Sequence, residues 1–81
     1  MNSKNEVARN WAEVQREHDA ADVSLRLVFG AEYSMLSSSD MLNVRAHYLA
    51  AFHVDGCTVG QFRDRIGGRE NLQAYAASIR P

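Results

Sequence analysis

Apolar residues near the N-terminus recur at the spacing of a helix. Steps of four, three and four residues join Val7, Trp11, Val14 and then the polar His18. Such a stripe lies along one face of a helix. Ser3, followed three residues later by Glu6, is a capping-box pattern in which each side chain bonds a backbone amide of the first turn. The sequence therefore predicts a first helix from about residue 4 to residue 19.

Residues 20–36 fit two patterns at once. The alternating apolar positions, typical of a strand, are Val23, Leu25, Leu27 and Phe29. A helical stripe runs instead through Leu25, Val28, Phe29, Tyr33 and Leu36. We favour a second helix over residues 20–35, because a lone strand would leave its backbone groups unpaired. Gly30 predicts a break or kink in that helix. A strand that pairs across a dimer is the alternative.

A run of short polar side chains, Ser37-Ser38-Ser39-Asp40, marks the clearest internal boundary. Hydroxyl and carboxylate oxygens of this kind bond the open amides of a starting helix. The helix predicted over residues 40–54 has a wide apolar face made of Met41, Leu42, Val44, Tyr48, Leu49, Ala51 and Phe52. Asn43, Arg45 and His47 are predicted to point to solvent.

Two short helices are predicted at the C-terminal end. Thr58 and Gln61 form a second capping-box pattern, which starts a helix over residues 58–66. The Gly67-Gly68 pair ends that helix, because glycine adopts the left-handed conformation of a helix end without a steric penalty. The last helix, over residues 69–80, has its apolar face at Leu72, Tyr75, Ala76 and Ile79.

Together these segments predict an all-α fold, a small bundle of three to five short helices in one domain that spans residues 1–81. Residues 37–81 are predicted to form a compact tri-helical unit with a helix-turn-helix-like ending. Residues 1–36 are predicted to form an N-terminal helical arm. This arm either packs on the tri-helical unit or projects from it and pairs with a second copy.

The composition fits one small globular domain. Of the 81 residues, 46% are hydrophobic and 23% are charged, which is ordinary for a folded protein. A domain of this size buries only about 60% of its unfolded surface, so dimerisation would add to its stability. The net charge of −1 excludes a strong overall attraction to nucleic acid or to an anionic membrane.

The charge is distributed unevenly between the two halves. Residues 1–40 hold seven acidic and four basic side chains, whereas residues 41–81 hold five basic and three acidic ones. An anionic partner would therefore meet the second half.

The single cysteine, Cys57, cannot form an internal disulfide. No apolar run approaches the roughly 20 residues that cross a bilayer, and the N-terminus lacks the pattern of a secretory signal. These features predict a cytoplasmic protein without membrane contact.

Few residues suggest catalysis or metal binding. The possible metal ligands are His18, His47, His53 and Cys57, and their spacing matches no known zinc site. A nucleophilic Cys57 would need an electropositive surrounding. The negative charge of the nearby Asp55 opposes such a surrounding. We therefore expect no catalytic activity, no cofactor and no bound metal.

A DNA-binding function is the alternative. The stretch from Thr58 to Gly67 resembles the first helix of a helix-turn-helix unit. The side chains that could then contact nucleic acid are Arg63, Arg65, Arg69, Asn71 and Gln73. Gly68 departs from the pattern, because an apolar residue usually follows the turn glycine. Glu70 departs from it as well, because its negative charge would face phosphate. The resemblance implies a DNA-binding regulator that uses residues 58–80.

The function that the sequence favours is binding to a protein. We expect a small non-catalytic cytoplasmic protein that occupies a surface of a larger partner as an adaptor or inhibitor, by analogy with the small regulators of mobile genetic elements. If its own domain leaves the first helix uncovered, the apolar stripe is a dimer seam or a partner site. The interface candidates are Val7, Trp11, Val14 and Tyr75.

Overall fold

The computed structural model describes residues 3–81, with side chains from Trp11 onward. Within this range the elements are α1 (Ser3–Phe29), α2 (Ala31–Ser34), α3 (Ser38–Asp55), α4 (Val59–Arg65), a 3₁₀ turn (Arg69–Asn71) and α5 (Leu72–Ser78). These residues form no strand. The predicted all-α bundle is confirmed, and the strand alternative for residues 20–36 is wrong.

The first helix is longer than predicted. α1 runs without interruption over 27 residues, so the predicted boundary between residues 19 and 20 is wrong. Alanines occupy positions 20 and 21, and alanine has the highest helix propensity. Two side-chain hydrogen bonds between residues four positions apart stabilise the helix on either side of these alanines. Gln15 Nε2 donates to Asp19 Oδ1 over 3.0 Å, and Arg26 Nε donates to Asp22 Oδ2 over 2.8 Å. The capping side chains predicted at Ser3 and Glu6 lie outside the described side chains.

The predicted break at Gly30 is confirmed. Its backbone has φ of 60° and ψ of −131°, a combination that side chains other than hydrogen disfavour strongly. α1 therefore ends at Phe29, and the single turn of α2 leaves in a new direction. This change of direction places Tyr33 inside the molecule, where it is fully buried.

The polar start signals of the later helices also act as predicted. Asp40 N donates to Ser37 Oγ over 3.1 Å at the start of α3. At the start of α4, Gln61 N donates to Thr58 Oγ1 over 3.1 Å, and Thr58 N donates to Gln61 Oε1 over 3.0 Å.

The last predicted helix, 69–80, is shorter than expected. It begins as the 3₁₀ turn, and α5 covers only Leu72–Ser78.

One cluster of buried side chains forms the core. It consists of Ala21, Leu25, Phe29, Tyr33, Val44, Tyr48, Cys57, Phe62, Ile66, Leu72 and Ala76. Phe62 lies among three rings in edge-to-face geometry, with centroid distances of 6.4 Å to Phe29, 5.5 Å to Tyr48 and 5.6 Å to Tyr75. The second half of α1 and Tyr33 of α2 therefore supply the core together with the helices of residues 37–81.

The wide apolar face predicted for α3 is only partly buried. Leu42 and Phe52 were predicted on it, but they are 50% and 48% exposed. Arg45 was predicted to point to solvent and is instead partly buried. It is drawn inward because its Nη1 donates to the Tyr33 hydroxyl over 3.1 Å and lies 3.6 Å from Asp22 Oδ1.

Among the described residues, every helix is too short or too polar to cross a membrane.

Candidate functional site

The first candidate site is an apolar surface where the N-terminal part of α1 meets the start of α3. We call it the tip surface, and it consists of Trp11, Val14, Gln15, His18, Leu42 and Arg45, around a cleft of about 150 Å³. Trp11 is 68% exposed and Val14 is 43% exposed. Two of the predicted interface residues are therefore brought together at this surface, next to Leu42.

The tip surface continues the side of α1 that faces the core. Trp11 precedes Phe29 by eighteen residues, which is about five turns of an α-helix, so the two side chains leave α1 in the same direction. Leu25 lies on this side as well, and both Leu25 and Phe29 are fully buried. One stripe thus runs from the core out to Trp11, where the domain covers it only in part.

A polar network forms the base of the tip surface. Arg45 Nε donates to His18 Nδ1 over 3.3 Å. The Tyr33 hydroxyl accepts from Arg45 Nη1 and donates to Asp22 Oδ1 over 2.7 Å. Hydrogen bonds from Arg26 and then Tyr33 lower the pKa of Asp22, while burial raises the pKa of Tyr33. These bonds join α1, α2 and α3, so they hold His18 and Arg45 of the tip surface in a defined position.

The second candidate site is a groove between α1 and α3. It has a volume of about 280 Å³ and is lined by Glu17, Ala20, Ala21, Ser24, Tyr48, Leu49 and Phe52. We call it the α1/α3 groove. It exists because α1 contributes three small side chains opposite three large ones of α3. At its edge, His53 Nε2 lies 2.8 Å from Glu17 Oε2.

The apolar surface extends beyond the groove along α1. Val23 follows Ala20 by three residues, and Leu27 follows Ser24 by three, so both lie beside the groove on the helix surface. Val23 is 58% exposed and Leu27 is 81% exposed. Sequence reasoning missed this site, because small residues give no apolar periodicity and the packing partner of α1 was unknown. The sequence did show the apolar face that carries Tyr48, Leu49 and Phe52, but Val23 and Leu27 fitted a strand pattern as well as a helix.

Tyr75, another of the interface candidates, lies elsewhere. Tyr75 is half-buried on α5, and its ring meets His47 edge to face at 6.1 Å. Its hydroxyl lies 3.3 Å from His47 Nδ1, and burial raises the pKa of Tyr75. Tyr75 belongs to the border of the core and to neither candidate site. The backbone of Val7 lies in α1, but its side chain is outside the described part of the chain.

Three of the five nucleic-acid candidates contact the protein itself. Arg63 Nε donates to Asp64 Oδ1 over 3.3 Å, and Arg65 Nη1 donates to Asp55 Oδ2 over 3.1 Å. Asn71 Nδ2 donates to the carbonyl oxygen of Ile66. Arg69 and Gln73 are exposed.

The side chains with chemical potential are dispersed. Cys57 is fully buried, and its thiol donates to the Thr58 carbonyl over 3.4 Å. The three histidines contact three different partners: His18 contacts Arg45, His47 contacts Tyr75 and His53 contacts Glu17. Within the described part of the chain, no three His, Cys, Asp or Glu side chains are grouped to hold a metal ion.

An ion pair fastens the C-terminal end to the start of α3. Arg80 donates from Nη2 to Asp40 Oδ2 over 2.8 Å and from Nε to Asp40 Oδ1 over 3.1 Å. These hydrogen bonds lower the pKa of Asp40. The start of α3, which carries Leu42 of the tip surface, is thereby held by the end of the chain.

Comparison with known proteins gave no match: no family model fits the chain, and neither a curated protein nor a solved structure is significantly similar to it. A function must therefore be argued from the two surfaces themselves.

Proposed function

We propose that this chain is a non-catalytic binding protein that attaches to a larger protein through the α1/α3 groove, as an adaptor or inhibitor. The observation that supports this is an apolar groove open to solvent, with exposed Val23 and Leu27 beside it and Phe52 on its wall. Exposed apolar areas of this kind are uncommon on monomers unless they bind something.

The dimensions of the groove favour side chains of a protein as its ligand. Pockets for small molecules usually measure about 300 to 1,000 Å³ and enclose most of the ligand. The groove, at about 280 Å³ and open on one side, suits one or two apolar side chains projecting from a partner helix. Helices that bind in this way present apolar anchors at steps of three and four residues.

Catalysis has less support than binding. A reactive cysteine needs an accessible, electropositive surrounding, and Cys57 is fully buried. A single buried thiol is compatible with a reducing compartment, so we place the proposed activity in the cytoplasm.

Affinity capture with paired variants tests the proposed groove. Ala20→Arg introduces a charge at the groove, and Ala12→Arg makes the same change at another exposed alanine of α1. We expect wild type and the Ala12→Arg variant to capture the same protein from host lysate, and the Ala20→Arg variant to lose it. Titration of the purified pair should then show at least about a tenfold loss of affinity for Ala20→Arg. Equal capture by all three baits would contradict the proposal.

The DNA-binding alternative requires several cationic contacts to phosphate. Arg63 and Arg65 are already paired with Asp64 and Asp55, and this favours protein binding over DNA binding. A gel-shift titration of duplex DNA at two salt concentrations discriminates between them. A salt-sensitive shift that disappears in Arg69→Ala would restore the alternative.

A further inference from the structure

We propose that the partner segment in the α1/α3 groove is a basic amphipathic helix. Its apolar anchor enters the groove, and an arginine or lysine three or four residues away meets the carboxylate of Glu17 and the ring of Phe52. This ligand chemistry rests on the function proposed above, since it concerns the same groove.

The polar side chains that line the groove can all accept hydrogen bonds. They are Glu17, Ser24 and Tyr48, and the other four lining residues are apolar. A carboxylate can only accept, whereas a hydroxyl can accept or donate. None of these seven residues is a cation or carries an amide side chain. The groove is therefore complementary to a ligand that brings N–H donors or a positive charge.

Glu17 has room for a second donor. His53 Nε2 lies 2.8 Å from Glu17 Oε2, and no hydrogen bond to Glu17 Oε1 is seen among the described residues. The Glu17 side chain is 43% exposed, so a partner cation can reach it while part of the carboxylate stays in water. Ion pairs of this kind avoid most of the desolvation cost of buried pairs.

The Tyr48 hydroxyl adds a second acceptor. Tyr48 is 9% exposed, and no hydrogen bond of its hydroxyl is seen among the described residues. In this part of the chain, no fully buried side-chain oxygen lacks a partner, so the hydroxyl keeps contact with solvent. Because Tyr48 lines the groove, an N–H group of the ligand can supply the missing bond.

The aromatic wall of the groove favours a cation near Glu17. Phe52 is 48% exposed, and its ring centroid lies 6.4 Å from that of Tyr48 and 5.4 Å from that of His53. His53 contacts both the Phe52 ring and the Glu17 carboxylate. Cations bind over aromatic faces, and the planar guanidinium of arginine does so while it donates hydrogen bonds. We therefore expect arginine to bind here more tightly than lysine.

On α1, the charges near the groove are mainly negative. Glu13 precedes Glu17 by four residues, so the helical register places both on the same side. Arg16 projects about 100° around the helix from Glu17. Arg26, the other arginine of α1 with a described side chain, is paired with Asp22 over 2.8 Å. A ligand that approaches along the groove therefore meets two carboxylates and one arginine from α1.

On α3, the charged residues next to the groove in the sequence are bound elsewhere. Arg45 bonds Tyr33 and His18, and Asp55 pairs with Arg65 over 3.1 Å. Neither Arg45 nor Asp55 lines the groove. The carboxylate on α1 is therefore the charge that a ligand meets inside the groove, and its sign favours a basic partner.

Selection from a displayed library of helical peptides tests this ligand chemistry. Each peptide carries leucine at two positions four residues apart, and the positions three and four residues away from them are randomised. The wild-type chain selects the peptides. Those that also bind the Ala20→Gln variant, which narrows the groove without adding a charge, are removed. We expect arginine, and less often lysine, to be enriched at a randomised position.

Matched variants show whether Glu17 selects the charge. Glu17→Gln removes the carboxylate, and Asp19→Asn removes the same charge from the opposite side of α1. Fluorescence anisotropy of a selected peptide should show about three- to tenfold weaker binding to Glu17→Gln, and less than about twofold weaker binding to Asp19→Asn. High salt should reduce the first difference. Replacing the enriched arginine of the peptide with glutamine should weaken binding to the wild type but not to Glu17→Gln.

The outcomes separate the chemistry of the ligand from the groove itself. Groove-binding peptides without enrichment of basic residues, or a peptide indifferent to Glu17→Gln, would overturn the basic ligand and leave the groove as a binding site. If no peptide discriminates the wild type from Ala20→Gln, the function proposed above fails as well. Circular dichroism of each variant confirms that the helices are retained.

Discussion

The two halves of α1 differ in environment although they carry one pattern. From Ala21 to Phe29 the stripe is covered by the other helices, and Leu25 and Phe29 have no contact with solvent. From Trp11 to Val14 the same stripe is largely exposed. The periodicity of apolar residues thus identifies a packing face, but the rest of the chain decides how much of that face is covered.

The buried half is also the one with specific polar bonds. Asp22 accepts from Arg26 and from the Tyr33 hydroxyl, and Arg45 joins the same group from α3. Among the described side chains of α1, His18 joins this network by accepting from Arg45 Nε. The second half of α1 is therefore fixed in the bundle, while Trp11 and Val14 in the first half are exposed.

The largest difference between the halves should appear when a buried leucine is shortened. Leu25→Ala should lower the free energy of unfolding by about 2 to 5 kcal/mol, because it removes transfer energy and leaves a cavity. Urea denaturation followed by circular dichroism at 222 nm measures the loss. A loss below about 1 kcal/mol would show that the second half of α1 is not a core element.

The polar network should contribute the next largest effect. Tyr33→Phe removes a hydroxyl that bonds Asp22 and Arg45, and we expect a loss of about 1 to 3 kcal/mol. Tyr48→Phe is the matched control, since no hydrogen bond of the Tyr48 hydroxyl is seen among the described residues. Equal losses in the two variants, measured by urea denaturation, would contradict the role of the network.

Acid should weaken the anchoring of α3 beside the exposed half. The pKa of Asp40 is lowered from 3.8 by the hydrogen bonds of Arg80, and the pKa of Asp22 is lowered in the same direction. A lowered pKa adds stability above the unfolded value, and this stability is lost as the pH falls through the folded value. The urea midpoint should therefore hold near neutral pH and fall below about pH 4.

Arg80→Ala isolates the contribution of that ion pair. The variant should have a lower urea midpoint at pH 7 and a shallower fall in acid than the wild type. Arg16→Ala, an exposed arginine of α1, is the control and should reproduce the wild-type profile. An unchanged acid profile in Arg80→Ala would exclude the pair as the source of the pH dependence.

The smallest effect should come from the exposed half. Trp11→Ala should change the free energy of unfolding, measured by urea denaturation, by less than about 0.5 kcal/mol, because the side chain is 68% exposed. A loss above about 1 kcal/mol would mean that Trp11 belongs to the core.

Local signals in the sequence predicted much of the fold. Ser37 and Thr58 start α3 and α4 as expected, because a capping side chain acts within its own turn. Gly30 ends α1 because its backbone angles exclude other residues. The predicted boundary after residue 19 failed for the converse reason: Ala20 and Ala21 carry no stop signal, and only a change of periodicity suggested one.

The sequence alone could not predict the α1/α3 groove or the inward position of Arg45. Both depend on which residue of α3 meets which residue of α1, and helical periodicity contains no information on that pairing. By itself the sequence determined the helical character of the chain, the starts of α3 and α4, the break at Gly30 and the stripe on α1, since these follow from interactions between residues a few positions apart. The tertiary structure decided which part of the stripe is buried, because burial depends on the long-range packing of α2 to α5.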